Sequence, residues 1–355
     1  MTRQRSIIES DERPREVLKA IVREYVRSGK PVGSRHLAKA YKEGLSPATL
    51  RNVMANLEEM GLVTQPHTSA GRIPTADGYR FYVDSIECTR KLPNRQAARI
   101  KKSLEPETDP EELMHKTSQL LSALSDNVGF VLAPPVSAAT MKHIKFIKNP
   151  RQRILVILVT GSGLVQHRLI HLDQDFSQSE LDQAGRYLVA HFEGKTLVEI
   201  RAELVSRMLE DQSLYDRLLM NAVLLATASL VKSKDEADEE TEVYLGGTTR
   251  IMQKPELADI NRMITLFQTF EEKDRLVKII NECLKTNSSR PSVRIGLGKD
   301  VPGMRDWALV SSPYLHNQKV IGSLGILGPS RMEYEKTISL VGYVAKLFSE
   351  LLPNN

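Results

Sequence analysis

Apolar residues at helical spacing divide the first part of the chain into three short helices. In "RPREVLKAIVREYVRSGKPV", Val17, Leu18, Ile21, Val22, Tyr25 and Val26 form one stripe, Pro14 suits a first turn and Gly29 a C-terminal cap. "GSRHLAKAY" predicts a second helix in which Ser34 can cap while Leu37, Ala38 and Tyr41 turn inward. In "LSPATLRNVMANLEEMGLV", Ser46 is a good N-cap, Pro47 a good first residue and Gly61 a good stop. On a helical wheel, Leu50, Val53, Met54 and Leu57 fall inward. Ala48, Arg51, Asn52 and Ala55 fall outward, with Thr49 and Asn56 nearer the margin. The period then changes. "LVTQ" reads as a short strand, "PHTSAG" as a loop, "RIPT" as a returning strand and "ADGYRFYVDSIE" as a further helix.

Downstream, "NRQAARIKKSLEPETD" is polar and basic and reads as a linker or loosely packed helix. Asp109, Pro110 and Glu112 then open a capped helix. "GFVLAPP", "HIKFIKNP", "RILVILVT" and "LVQHRLIHL" read as strands, the last two joined by a "GSG" turn. The unbroken apolar run "ILVILV" predicts a strand buried on both faces. Residues 175–234 return to helical spacing, "KDEADEETE" reads as an exposed acidic loop, and "VYLGGTTRI" as a strand leading to two helices over 255–285. "SVRIGLG", "WALVSSPYL" and "SLGILGP" are strands, and "RMEYEKTISLVGYVAKLFSELL" is a long closing helix. Strands, then helices, then strands again predict one α+β domain interrupted by an insertion. Within it, "LYDRLLMNAVLLATASLV" is apolar around much of its circumference, which fits either burial in its own domain or a dimer face.

Composition narrows the class. Apolar residues make up 41% and charged residues 26% of the chain, ordinary for a globular protein. Cys88 and Cys283 lie far apart and form no CxxC pair, which fits a reducing cytoplasm. No apolar signal core opens the chain and its longest apolar run is too short to cross a bilayer, so a soluble cytoplasmic protein is expected, with no membrane partner. The net charge of +5 is unevenly spread: residues 1–103 carry 20 Lys and Arg against 11 Asp and Glu, the remainder 29 against 33. A basic N-terminal unit on a mildly acidic body is the charge balance of a modular polyanion binder.

The helices and hairpin name the polyanion. Two helices, a short turn and a capped third helix make a helix-turn-helix, and a hairpin directly after the third helix is the wing of a winged helix. The outward face of the third helix suits a major groove. Ala48 allows close approach, Arg51 can read guanine, Asn52 and Asn56 can read adenine, and Ser46 and Thr49 can bind phosphate. Ser34 and Arg35, at the start of the second helix, join this set. At the wing, Gly71 supplies the turn, Arg72 a cation for phosphate, and His67, Thr68 and Ser69 polar contacts. Arg72 has a second candidate partner, a carboxylate of its own domain.

"PVGSRHLAKAY", "LSPATLRNVMANLEEMGLVTQPHTSAGRIPTADGYRFYVD" and "GSLGILGPSRMEYEK" resemble the bacterial HrcA family of heat-inducible transcription repressors. The resemblance implies a winged helix followed by a GAF-like α+β domain that carries an inserted, mainly helical dimerisation domain. The corresponding boundaries are 1–105 for the winged helix and linker, 106–174 and 254–355 for the two parts of the GAF-like domain, and 175–253 for the insertion. It implies a homodimer that represses chaperone operons by binding double-stranded DNA at an inverted-repeat operator. It also implies that the chaperonin maintains the repressor and that heat stress withdraws that support.

Other chemistry lacks a signal. No P-loop, HExxH or GxSxG motif occurs, and "GSGL" and "IGLGKDVPG" read as ordinary loops. His167, His171 and Asp173 are too few to name a metal site. No catalytic residue and no cofactor is expected. Two competing readings are a winged-helix regulator whose GAF-like domain senses a small molecule and an enzyme with an appended DNA-binding domain, for which paired titratable groups are missing.

Overall fold

A buried stripe and a left-handed glycine define the first helix, α1 (Glu12–Ser28): Val17, Leu18, Ile21 and Val22 are fully buried, and the chain leaves through Gly29 at φ +66°. The computed structural model describes residues 12–40, 45–67, 70–86, 92–105, 109–134, 140–150, 153–172, 174–210, 242–257, 291–299, 304–316 and 318–352, with scattered positions in 221–226 and 259–280. α2 (Ser34–Ala40) begins one residue earlier than a Ser34 cap requires: the Gly33 carbonyl accepts from the Leu37 amide at 2.9 Å, and Ser34 is the first helical residue. α3 (Pro47–Glu59) is capped by Ser46, whose hydroxyl accepts from the Thr49 amide at 3.1 Å, and it buries Leu50, Met54 and Leu57. β1 (Val63–Thr64) and β2 (Ile73–Pro74) pair antiparallel and form the wing. α4 (Ala76–Asp84) follows at once, capped by Thr75.

α5 (Asn94–Leu104) is a packed helix rather than a loose linker, because Ile100 and Leu104 are buried among the residues of the shared core. α6 (Pro110–Ser125) starts at Asp109, which accepts from the Glu111 amide, and leads into β3 (Val128–Leu132). β7 (Val243–Gly246), β3, β10 (Lys319–Pro329), β9 (Trp307–His316) and β8 (Ser292–Ile295) then form one five-stranded antiparallel sheet in that order. α6 and the closing helix α10 (Tyr334–Leu351) cover one face, contributing Leu121, Val341, Val344 and Phe348 to a core continuous with that of α1, α3 and α4. The other face buries Phe130, Leu309 and Leu327 against Ile251 of α9 (Thr248–Ile251) and against Phe270 and Ile280.

A second sheet stands apart. Among the described residues β4 (Met141–Asn149), β5 (Arg153–Thr160) and β6 (Val165–His171) form a three-stranded sheet of their own, and α7 (Gln178–Phe192) packs on them. Their core joins Phe146, Val156 and Leu158 to Leu181, Leu188 and Phe192, to Leu204 of α8 (Leu197–Glu210), and to Ala222 and Leu225. Two expectations change here. Strands 141–171 were expected in the main sheet and Val243–Gly246 in the insertion, but the hydrogen-bond ladders exchange them, so boundaries at 175 and 253 do not follow the sheets. β5 buries Ile154, Val156 and Leu158 on one face only, while Leu155, Ile157 and Val159 are half-buried on the other. The second unit therefore combines a three-stranded sheet with its helices. The expected acidic loop at 234–242 and the helices expected over 214–231 and 255–285 fall largely outside the described residues.

Candidate nucleic-acid interface

The cap that starts α3 also aims it. Ser46 lies outside the helix with an extended backbone, so the chain turns sharply at Pro47 and the first turn of α3 emerges on the surface. The buried side, Leu50, Met54 and Leu57, leaves Ala48, Arg51, Asn52 and Asn56 exposed, with Thr49 half-buried. Ser46 itself is a structural cap: its hydroxyl lies 2.9 Å from the Thr49 hydroxyl and 3.1 Å from the Thr49 amide. Among the described residues no hydrogen bond or ion pair engages the side chains of Arg51, Asn52 or Asn56. A guanidinium and two amides thus face outward from an exposed helix with their donors and acceptors unspent, which is the chemistry of base-edge readout in a major groove.

The neighbouring helix adds charge. Arg35 and Lys39 of α2 are exposed, four residues apart on one face. His36 is held differently: its Nε2 lies 2.8 Å from Glu24 Oε1, while Arg27 donates to Glu24 Oε2 at 2.7 Å. The Arg27 guanidinium, then the His36 imidazole, hold the Glu24 carboxyl below the usual carboxylate range. Lys39 and His36 were absent from the expected set; the i, i+4 spacing of Arg35 and Lys39 was the available signal for the former.

The wing departs most from expectation. The Gln65 side chain donates to the Ala70 carbonyl at 2.9 Å and the Ala70 amide to the His67 carbonyl at 2.8 Å, which closes the loop and leaves His67 exposed. Thr68 and Ser69 lie outside the described residues. Arg72 is not at the tip. Its backbone pairs with Val32 through two 2.9 Å hydrogen bonds, adding the α1–α2 connection to the wing as a third strand-like segment. Its guanidinium reaches back to Glu58 at 2.8 Å, with the side chain only 20% exposed. Gly71 serves that same contact rather than a turn, since a Cβ there would lie 2.3 Å from the Val32 carbonyl carbon. The pairing with Glu58 also neutralises the carboxylate that would otherwise repel phosphate near the end of α3.

No group of three or more His, Cys, Asp or Glu among the described residues could hold a metal ion. His167 and His171 share the exposed face of β6. No helix among the described residues is long and apolar enough to cross a membrane.

Comparison with known proteins divides the chain at the same joint. Residues 11–85 match a family model described as winged helix-turn-helix transcription repressor, HrcA DNA-binding. Residues 111–338 match one described as HrcA protein C terminal domain. The heat-inducible transcription repressor HrcA of Geobacter sulfurreducens is 42% identical over 342 residues, covering 96% of this chain and 98% of that protein. The repressor of the same name from Syntrophobacter fumaroxidans is 38% identical over 341 residues, covering 96% and 97%. A solved structure described as a hypothetical protein is similar in fold, with a TM-score of 0.61 at 22% identity over 96% of this chain and 98% of that one.

Proposed function

This chain belongs to the HrcA family of heat-inducible transcription repressors, and from that membership we propose that it binds an inverted-repeat operator upstream of chaperone operons as a homodimer. It is a regulator and not an enzyme. One α3 enters each half-site, as helix-turn-helix dimers do. Arg51, Asn52 and Asn56 meet base edges, Ala48 permits close approach, and Thr49, Arg35 and His67 lie against the backbone. Ser46, Gly71 and Arg72 hold that surface in shape, and Ser34 starts the helix that carries Arg35. The observation that supports this best is that Arg51, Asn52 and Asn56 have no side-chain partner among the described residues and lie on the exposed face of a capped helix anchored by Leu50, Met54 and Leu57.

The inserted dimerisation domain, in this reading, is the unit between β3 and β7, residues 133–242, and the five-stranded sheet with α6 and α10 is the GAF-like domain. Control passes through the chaperonin, which keeps the repressor competent in the cytoplasm until heat fills it with other clients.

The test is a salt titration of binding to the inverted repeat of the host's own chaperonin promoter against a scrambled duplex, with and without chaperonin. Selective binding that improves with chaperonin supports both operator and control. Selective binding indifferent to chaperonin removes the control mechanism and keeps the repressor. Equal, weak binding to both duplexes by folded protein overturns the operator assignment.

A further inference from the structure

The closing motif "GPSRMEYEK" carries part of the family resemblance, yet none of its residues lies on the DNA-facing surface. Three of its side chains, those of Arg331, Tyr334 and Glu335, contact the winged helix. Arg331 donates from Nη1 to the Val26 carbonyl in the last turn of α1 at 3.1 Å, and from Nε to Glu256 of the body at 2.5 Å. Gly29 makes room for it, because a Cβ there would lie 3.2 Å from Arg331 Nη1. Four residues on, Glu335 Oε1 accepts from Arg23 of α1 at 2.8 Å and from the Tyr82 hydroxyl of α4 at 3.0 Å. Between them the Tyr334 ring packs on Tyr79 of α4, centroids 5.9 Å apart.

These contacts all come from the first turn of α10 or the residues just before it. The remainder of α10 is core of the body, with Val341, Val344 and Phe348 fully buried. The helix is therefore one continuous element, fixed on the five-stranded sheet along most of its length and gripping α1 and α4 at its start. The two units share one core, and Arg80 of α4 also donates to the Ile295 carbonyl of β8 at 2.7 Å. On the side of α1 away from that core, a cleft of about 730 Å³ opens beside the grip, with Leu92, Gln96 and Lys336 among its lining residues.

We propose that Arg331 and Glu335 are positioning residues that set the angle of the DNA-binding unit on the body, and so decide whether two recognition helices can reach two half-sites together. The proposal rests on the dimeric-repressor reading above. A tilt of α10 driven from the body then becomes a change in half-site reach, with no change in the base-reading residues themselves.

The experiment compares the full chain with Glu335→Gln, Arg331→Met, Arg23→Glu alone and the charge swap Arg23→Glu with Glu335→Arg. Binding is measured on a single half-site duplex, on the native inverted repeat, and on repeats whose half-site spacing is changed by one or two base pairs. Half-site affinity is expected to stay within about twofold, while affinity for the native repeat falls about tenfold, within the usual span of inter-site coupling, and the penalty for altered spacing flattens. The charge swap should recover spacing discrimination that Arg23→Glu alone loses. Parallel loss on the half-site and the full repeat would mean that the substitutions merely damage the winged helix, which overturns the proposal. Unchanged spacing discrimination in every variant would overturn it as well. Wild-type protein with no preference for the repeat over the half-site would remove the two-half-site reading itself, and the proposal with it.

Discussion

Arg51 and Arg72 carry the same guanidinium to opposite ends of the recognition unit. Arg51 is exposed on the first half of α3, and Arg72 is turned inward onto Glu58. Replacing Arg51 or Asn52 by alanine should cost about 1–3 kcal/mol on the operator and little on a scrambled duplex, read from the ratio of the two dissociation constants. Arg72→Ala should instead lower the thermal midpoint through a loss of about 1 kcal/mol, typical of a part-buried ion pair, and leave the salt slope of DNA binding unchanged. A slope reduced by about 1 would mean that Arg72 leaves Glu58 for a phosphate in the complex. The sequence alone identified an arginine in need of a partner and offered two. It could not choose, because the choice depends on hairpin register: Thr64 opposite Ile73 brings the residue after Gly71 back towards the end of α3. Arg51, Asn52 and Asn56 were legible because a helical wheel needs only local spacing.

Helix ends and helix faces were the most readable elements. Ser46 with Pro47, Asp109 with Pro110, and Gly29 each mark a boundary through a short-range hydrogen bond or a backbone angle, and each is found in its expected role. The link between α1 and α2 was not readable. Glu24 sits at a position that the periodicity treats as polar surface, yet it is buried and bridges Arg27 and His36 across the two helices. Its carboxyl is held below the ordinary range, so the unfolded chain binds a proton more readily than the folded one. The stability it contributes is complete above the unfolded value near 4.5 and is lost as pH falls below that towards the folded value. Glu24→Gln should therefore cost about 1–2 kcal/mol at neutral pH, the range for a hydrogen bond to a charged partner. The gap to wild type should close during acid unfolding followed by circular dichroism. A gap that stays constant down to pH 3 would assign the loss to packing instead.

At the scale of the molecule, the α+β class and the presence of an insertion were legible from the alternation of periods, and the sheet partners were not. Strand pairing is long-range. Nothing local in "VYLG" says that it closes on Phe130 and Val131 while the far more apolar "ILVILV" builds a separate sheet. Deleting residues 133–242 and joining Leu132 to Val243 by a two-residue hairpin turn should leave the winged helix and five-stranded sheet folded. Calorimetry of the full chain should then contain a separate transition that the deletion removes; a single lost transition, with no folded remainder, would make the two sheets one cooperative unit. The pairing of Leu132 with Val243 has a consequence in chain statistics. The insertion leaves and re-enters the body on adjacent strands, about 5 Å apart, so the body meets it only as a loop whose closure cost grows with the logarithm of its length. Between a short turn and the whole insertion that cost differs by roughly 3 kcal/mol. A longer, shorter or melted insertion would change the folding stability of the body by little more than that, even where it ended the pairing of two copies.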